Sequence, residues 1–568
     1  MTARRLTVAA GVTAGYAVLV VVLTWPLAAH LGTHLSDTHK VSGYDPLFTT
    51  WVLAWESHAL ATGAPIADPN IYCPARDTLF YGDTALGALP IFMPTFLLSG
   101  NAALALNVLL LLGAALTAAA VHLVAYRWTG SHGTAFVAGW TTLMAPWTLW
   151  EFNPTAPSEG MLQFLPFVVL LAAEVQPAVW PLAALTVLQS FTDVAYIAAA
   201  TVGPLLVLAA WRLLHRDTRR GGVRLLAVAA ITALALLPLH LQHLRVRWAN
   251  PGLAKQTLWV YPSEPVQLPW GRFREGPMAV PLVVFAVIAL AIVLRRRART
   301  APLPGWSAAA FWSVVGLLMS LSPTGIWNGR TVVLPHELLD LLTPYYDLLR
   351  VPVRLGVGGM IGLALLAGLA GEECRRRLPA RVRPLVPIAL VVAMFAQYAW
   401  GGTRLPGRYP LMEAATEPAE ILSILRQPGG PVLEVPIGVK GDWDPSDQAR
   451  AMLRSTQHWR WILNGYTSYW PAGFPERMAL VEKLPDPAAL AALREQTRLE
   501  LIVVHLDDFQ RRQRATCRDA ATARGVDPHV CVRLGEADRA RWESAAIAHP
   551  GLRLVTRTPD TLLFAVNP

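Results

Sequence analysis

The chain has 568 residues, 54% of them hydrophobic and only 15% charged, with a mean hydropathy of +0.39 and a formal net charge of +10. A soluble fold of this length has too little interior to take up that much apolar surface, so a bilayer is the expected sink. The positive charge is arginine gathered in short runs between apolar stretches, whereas a nucleic-acid surface would interleave basic and aromatic side chains; no nucleic-acid partner is expected.

Apolar stretches of spanning length, about 17 to 25 residues, fall near 8–29, 102–125, 133–150, 160–175, 178–190, 194–213, 223–240, 278–294, 305–322, 354–371 and 383–400, eleven in all. The stretch 84–98 is apolar but short and holds Pro90 and Pro94. It is expected to lie in the outer interface or to re-enter. On this reading the inner connections collect Arg4 and Arg5, Arg127, Arg212 to Arg224, Arg295 to Arg299, and Arg375 to Arg383, as the positive-inside rule requires. Ala28, Ala29 and His30 after Pro26 supply no small-residue cleavage site, so the first helix is expected to be retained with its N-terminus cytoplasmic. An odd number of spans then puts the C-terminal part outside. The expectation is a multi-pass protein of the inner or plasma membrane.

Two domains are expected, a multi-span part over 1–400 that includes the outer loop 31–101, and a soluble extracytoplasmic α/β domain over 401–568. In the tail, 431–437 and 500–505 predict strands, 446–455 and 536–548 helices, and 552–557 with 562–566 a closing hairpin. Cys517 and Cys531 lie 14 residues apart and are either bridged or two thiols. Cys73 and Cys374 have no evident partner. Trp459, Trp461, Tyr466, Tyr469 and Trp470 are candidates for stacking on sugar faces, or for packing among themselves or on the membrane surface.

The first outer loop carries Asp37, Asp45, Glu56, Asp68, Asp77 and Asp83, and spanning a membrane needs none of them. Asp45-Pro46 followed by Leu47, Trp51, Val52, Leu53 and Trp55 predicts a helix N-cap and an amphipathic helix on the bilayer surface, so Asp45 has a purely structural reading as well. Asp193 in SFTDVAY reads either as the outer end of a short turn or as an intramembrane acid of the transporter kind. Arg350 and Arg354 flank Pro352 at the outer mouth of a span, against the positive-inside trend. They snorkel to headgroups, pair with Asp347, or bind an anion.

One span, a long outer loop with an Asp before a helix, and then apolar helices with Arg-rich inner turns resembles the GT-C superfamily of membrane glycosyltransferases, which use polyprenyl-phosphate-linked sugars. GYDPLFTTWVLAWESHAL, IYCPARDTLFYGDTALGALPIF and LLRVPVRLGV are similar to a bacterial branch of that superfamily, in which segments similar to PGGPVLEVPI, HWRWILNGYTSYWP and LIVVHLDD follow the last span. The resemblance implies a polytopic α-helical fold and inverting transfer of a sugar to an envelope glycan, lipid or protein. It makes Asp45 the first-loop acid that serves as base, with Asp37 the alternative. It also implies a second acid in the next outer turn, EFNPTAPSE, where Glu151 and Glu159 stand. On the same reading Arg350 and Arg354 hold the donor phosphate, for which a planar guanidinium is suited. A divalent cation, Mg or Mn, is left open. His30, His34, His39 and His58 show no zinc-ligand spacing. There is no Walker A or G-x-G-x-x-G sequence. A flippase or transporter of lipid-linked sugar, and a non-catalytic envelope-assembly protein, are the alternatives.

Overall fold

The computed structural model describes residues 3–38, 44–150, 153–250, 276, 278–321, 324–327, 330–333, 349, 351–400, 404–437, 445–509 and 529–567. It divides into two compact units: a membrane unit of 1–42, 84–244 and 254–412, and a tail unit of 43–83, 245–253 and 413–568.

In the membrane unit, burial ranks the helices. The segment Pro352–Arg376 is 94% buried over its most apolar window, while Leu6–Leu23 is 17% buried. The first is therefore the central helix and the second a peripheral one whose Leu6, Val18 and Val22 face outward. Helix Val357–Arg376 packs on Ala102–Thr129, His132–Met144, Leu282–Ala298 and Trp306–Met319. Its contact with Trp306–Met319 is made by small residues: a Cβ on Gly316 would run into the backbone of Gly359, and one on Gly362 into Ser313 and Ala309. Lipid tails give apolar helices no reason to leave them for one another, so close backbone approach of this kind drives association. Outward-facing leucine, isoleucine and valine on Arg219–Ala249 and Leu385–Tyr398, with exposed Trp25, Trp180, Trp211 and Trp400 at helix ends, form the apolar band and aromatic rim of a membrane protein.

Among the described residues five helices are long and apolar enough to cross a bilayer: Leu6–Leu23, Ala102–Thr129, Tyr196–Leu213, Arg219–Ala249 and Pro352–Arg376. The other expected spans appear as shorter or broken helices. The expected continuous stretch 160–175 is a turn at Pro157–Gly160 followed by Leu165–Ala172. Proline is the reason, because Pro146, Pro154, Pro157 and Pro166 each remove a backbone donor and disfavour helix in the preceding residue. The helix Leu89–Ser99 has 11 residues, about 17 Å at 1.5 Å per residue and well short of the roughly 30 Å hydrocarbon core.

The tail unit is built on a four-stranded sheet in the order Val432–Val435, Leu501–His505, Thr561–Val566, Leu552–Arg557. The first pair is parallel and the other two antiparallel. Val432, Leu433, Ile502, Val503, Val504 and Leu563 are fully buried, which explains why the two inner strands read as continuous apolar runs. The strands, hairpin and helix Pro445–Ser455 stand where the sequence predicts them, and the helix expected over 536–548 begins seven residues earlier, running His529–Ile547.

One boundary is corrected. Residues 43–83, expected to belong with the membrane part, fold as part of the tail unit. Helix Asp45–Thr62 is not an amphipathic helix on a bilayer. It buries twelve side chains on more than one face, Trp51 and Leu53 completely, and packs on Pro445–Ser455. Farther along, Ile462 N–H donates to Asn70 O (2.8 Å), Cys73 N–H to Ile462 O (3.0 Å) and Tyr72 N–H to Asn464 O (3.0 Å). The first-loop segment thus completes the tail sheet's edge through the 459–464 stretch. The tail aromatics take the packing role: Trp459 stacks on His58 at 4.0 Å, Arg76 covers Trp461 at 4.1 Å, and Tyr466 meets Tyr44 and Phe48. Cys73 and Cys374 are free and buried. The Cys517–Cys531 pairing lies outside the described residues.

Candidate functional site

A broken chain between two apolar helices leaves backbone groups to satisfy, and here buried side chains meet them. Thr117 Oγ1 donates to Gly160 O (3.3 Å) and accepts from Leu162 N–H (3.0 Å). Gln189 Oε1 accepts from the N–H groups of Phe164 (3.1 Å) and Leu165 (3.0 Å), and its Nε2 donates to Met161 O (2.8 Å). Asn153 Nδ2 donates to Thr148 O (2.8 Å). Irregular backbone at such a depth is tolerated only where protein buries and pairs it. A Cβ on Gly160 would overlap Asn153, so the turn closes tightly and holds Glu159, itself 5% exposed.

Opposite Glu159 stands Arg354, in the tight turn Pro352–Gly356 that opens the central helix. Arg354 Nη1 lies 3.3 Å from Glu159 Oε1, and its guanidinium sits 5.1 Å over the Tyr196 ring. Tyr196 Oη in turn accepts from Val351 N–H (3.1 Å), tying the arginine's turn to the start of helix Tyr196–Leu213. Just before that helix, Asp193 Oδ1 accepts from the N–H groups of Ala195 (3.0 Å) and Ile197 (3.1 Å). Asp193 therefore ties down the backbone that leads into this helix. Two residues 195 positions apart, Glu159 and Arg354, are brought together. A half-buried guanidinium held by a carboxylate and an aromatic face has the fixed orientation that suits it to an anion such as phosphate.

The remaining candidates fall elsewhere. Asp37 follows strand His34–Ser36, and its N–H donates to Pro410 O (3.0 Å). Asp45 lies in the first turn of helix Asp45–Thr62, with Tyr44 in the cap position expected for Asp45. There the carboxylate lies at the positive end of the helix dipole. Glu151, Asp347 and Arg350 lie outside the described residues. Tyr196, Gln189 and Thr117 were not singled out from sequence. The only signal was their position beside proline-broken apolar runs.

The tail unit buries a second charged group. Arg454 Nη1 lies 3.1 Å from Glu434 Oε2, Arg454 also pairs with Asp508, and Arg450 Nε lies 3.2 Å from Asp508 Oδ1. His505 Nε2 is 3.2 Å from both Glu417 Oε1 and Glu434 Oε2. Burial and Arg454 push the imidazole toward its neutral form, but the two carboxylates outweigh them and hold its pKa up to about 9. Burial opposes ionisation of Asp508 as well, yet Arg454 and Arg450 keep it well below the usual carboxylate range. Burial lowers neighbouring His458 to about 4. Glu417, Glu434 and His505 converge closely enough to hold a metal, as do His505, Asp507 and Asp508. Arg454 and protonated His505 already supply the cationic charge the first trio needs. Among the described residues the converging ligand-type groups lie in the tail and include neither Asp37 nor Asp45.

No family model and no curated relative matches the chain. Among solved structures it is similar to the arabinofuranosyltransferase AftD from mycobacteria, with a TM-score of 0.57 at 17% identity over 100% of this chain and 40% of that one. The chain thus spans about two fifths of that enzyme's length. It also aligns with ArnT from Cupriavidus metallidurans in the apo state (TM-score 0.46, 14% identity, 98% of each chain). A third alignment is to the oligosaccharyltransferase AglB from Archaeoglobus fulgidus, in complex with an inhibitory peptide and a dolichol-phosphate (TM-score 0.37, 10% identity, 94% of this chain and 72% of that one). The apolar helices and the likeness to AftD give this chain a polytopic helical fold of the membrane type, similar to that of AftD.

Proposed function

We propose that the protein is a membrane glycosyltransferase that moves a sugar from a polyprenyl-phosphate donor to an extracytoplasmic glycan, lipid or protein acceptor of the cell envelope. The observation that carries the reading is the pair of buried Glu159 and half-buried Arg354, 3.3 Å apart, set at a proline-broken helix junction in a fold of the GT-C type. In this proposal Arg354, with Arg350 as its neighbour in sequence, binds the donor phosphate, and Glu159 and Tyr196 keep the guanidinium oriented. Asp45 is the base, with Asp37 the alternative. The acceptor hydroxyl oxygen attacks the anomeric carbon as the bond from that carbon to the phosphate oxygen breaks. Polyprenyl phosphate leaves with the electron pair, its charge met by arginine, and the hydroxyl proton passes to the carboxylate. The configuration inverts because one displacement occurs. A divalent cation is not needed for that balance, and its involvement is decided by adding a chelator to the assay.

The test is transfer by the full chain in lipid nanodiscs, given labelled polyprenyl-phosphate pentoses and hexoses with delipidated envelope acceptors. The expected result is acceptor labelling with stoichiometric release of polyprenyl phosphate, lost in Arg354→Ala. Labelling at an unchanged rate in Arg354→Ala would remove the phosphate clamp. Envelope glycans identical in composition with and without the gene would remove the transferase reading itself.

A further inference from the structure

The tail unit contains a surface cavity of about 490 Å³ that the proposed transfer chemistry does not use. Its floor is formed by Arg454 and His505, 4% and 2% exposed, and its rim by Glu413, Glu420, Arg557 and Asp560, which are exposed. The floor is fixed: Arg454 is tied to Glu434 and Asp508 and His505 to Glu417 and Glu434. The rim is supplied by the hairpin connection between Leu552–Arg557 and Thr561–Val566 and by the segment leading into helix Ala419–Leu425. Cationic and carboxylate side chains line the cavity in equal number.

That balance selects among ligands. A phosphate or uronate meets four carboxylates against three guanidinium groups and the His505 ring, so it gains no net attraction. A metal ion meets Arg454, whose Nη1 and Nε already lie 3.1 Å from Glu434 and 3.9 Å from Glu417. An apolar ligand would strand the charged lining without partners. A neutral molecule dense in hydroxyls satisfies both kinds of group, because each hydroxyl donates to a carboxylate and accepts from a guanidinium. The volume lies within the ordinary range of small-ligand sites and accommodates a short saccharide.

We infer that this cavity binds a neutral oligosaccharide segment, and that the tail unit holds the acceptor glycan through it. Only the second half of that statement rests on the glycosyltransferase reading. The experiment uses the full chain in nanodiscs on an array of neutral, uronate-bearing and phosphorylated oligosaccharides. Wild type is compared with Arg557→Ala/Asp560→Asn, a rim pair outside the buried network, and with Arg354→Ala. Neutral oligosaccharides are expected to bind, with affinity falling about tenfold or more in the rim double variant as two charge-assisted contacts are lost. Arg354→Ala should bind as wild type does, so failure of the transfer chemistry and failure of this site are separable. Unchanged glycan affinity in the rim variant, binding confined to the acidic or phosphorylated glycans, or no glycan bound at all would each overturn the inference. An unchanged thermal midpoint for the rim variant guards against misreading an unfolded tail.

Discussion

Both units bury an arginine against a carboxylate, and the surroundings differ in kind. Arg454 in the tail lies among Glu417, Glu434 and Asp508 with Arg450 and His505 close by, so with His505 protonated three acids face three cations. Within such a group each charge is offset by another, and removing one strands its partners at low dielectric. Arg354 in the membrane unit faces Glu159 across a helix break, with an aromatic ring as its third support. This group sits where the backbone has been interrupted at the cost of regular hydrogen bonding. The contrast fits a tail cluster that holds a domain together, while the proposed function gives the Glu159–Arg354 pair to chemistry.

The largest effect expected on the chemical side of that contrast is Asp45→Asn. If the carboxylate takes the proton, transfer falls by about 10² to 10⁴, while the thermal midpoint stays within a degree or two of wild type. A change of less than about threefold, well under that range, would transfer the role of base to Asp37. On the structural side, Arg454→Met should destabilise the tail by about 3 to 5 kcal/mol, the loss found when one leg of a buried ion network is removed. Amide hydrogen exchange at Ile502 to Val504, in the central strand, reads this out locally. Protection unchanged there would mean that the network is not what holds the sheet.

How much of this could be read from sequence follows from the range of the forces involved. Local signals were sufficient for the tail sheet, because Val432 to Val435, apolar except for Glu434 and flanked by prolines, and the apolar run Leu501 to Val504 follow patterns set by neighbours in the chain. The outer-loop helix was legible as a helix from Asp45-Pro46, but its placement was not. Trp51 and Trp55 suit a membrane surface or a protein interior equally, and only the pairing of 70–73 with 462–464 settles which. Glu159 and Arg354 were each visible as charges in apolar surroundings, yet their meeting depends on helix packing over 195 positions. The spans expected over 133–150 and 160–175 were overestimated where Pro146 and Pro166 interrupt apolar runs, since hydropathy does not register a missing N–H. The tail network left no signal, because Glu417, Glu434, Arg454 and Asp508 look like ordinary surface charges one at a time.

Arg354→Ala is expected to lower transfer by about 10² to 10³, the loss typical of removing one donor aimed at developing charge. Arg354→Lys should recover only part of that, since an ammonium binds phosphate as a point charge and cannot use the planar fork. The comparison sharpens if Arg354→Ala and Asp45→Asn are combined. Residues that serve one reaction are far from additive, so a double variant whose loss equals the sum of the two single losses would separate their roles.

The smallest effect is the pH dependence of the tail. His505 is held up to about 9 in the folded chain, above the roughly 6.5 of a free imidazole. A group with a raised folded pKa gives its full stabilisation below the unfolded value and loses it as pH rises through the folded one. The tail should therefore keep its protection up to about pH 6.5 and lose about 1 kcal/mol between pH 8 and pH 9. Asp508, depressed by Arg454 and Arg450, acts in the opposite sense and weakens the fold only in acid. Hydrogen exchange at Val503 measured across pH 6 to 10, corrected for intrinsic rates, follows the alkaline limb. His505→Gln, which cannot titrate, should flatten it while leaving the pH dependence of the membrane helices untouched. A slope that survives in that variant would mean that another group carries the alkaline transition, and the tail network would then be neutral by some balance other than a protonated His505.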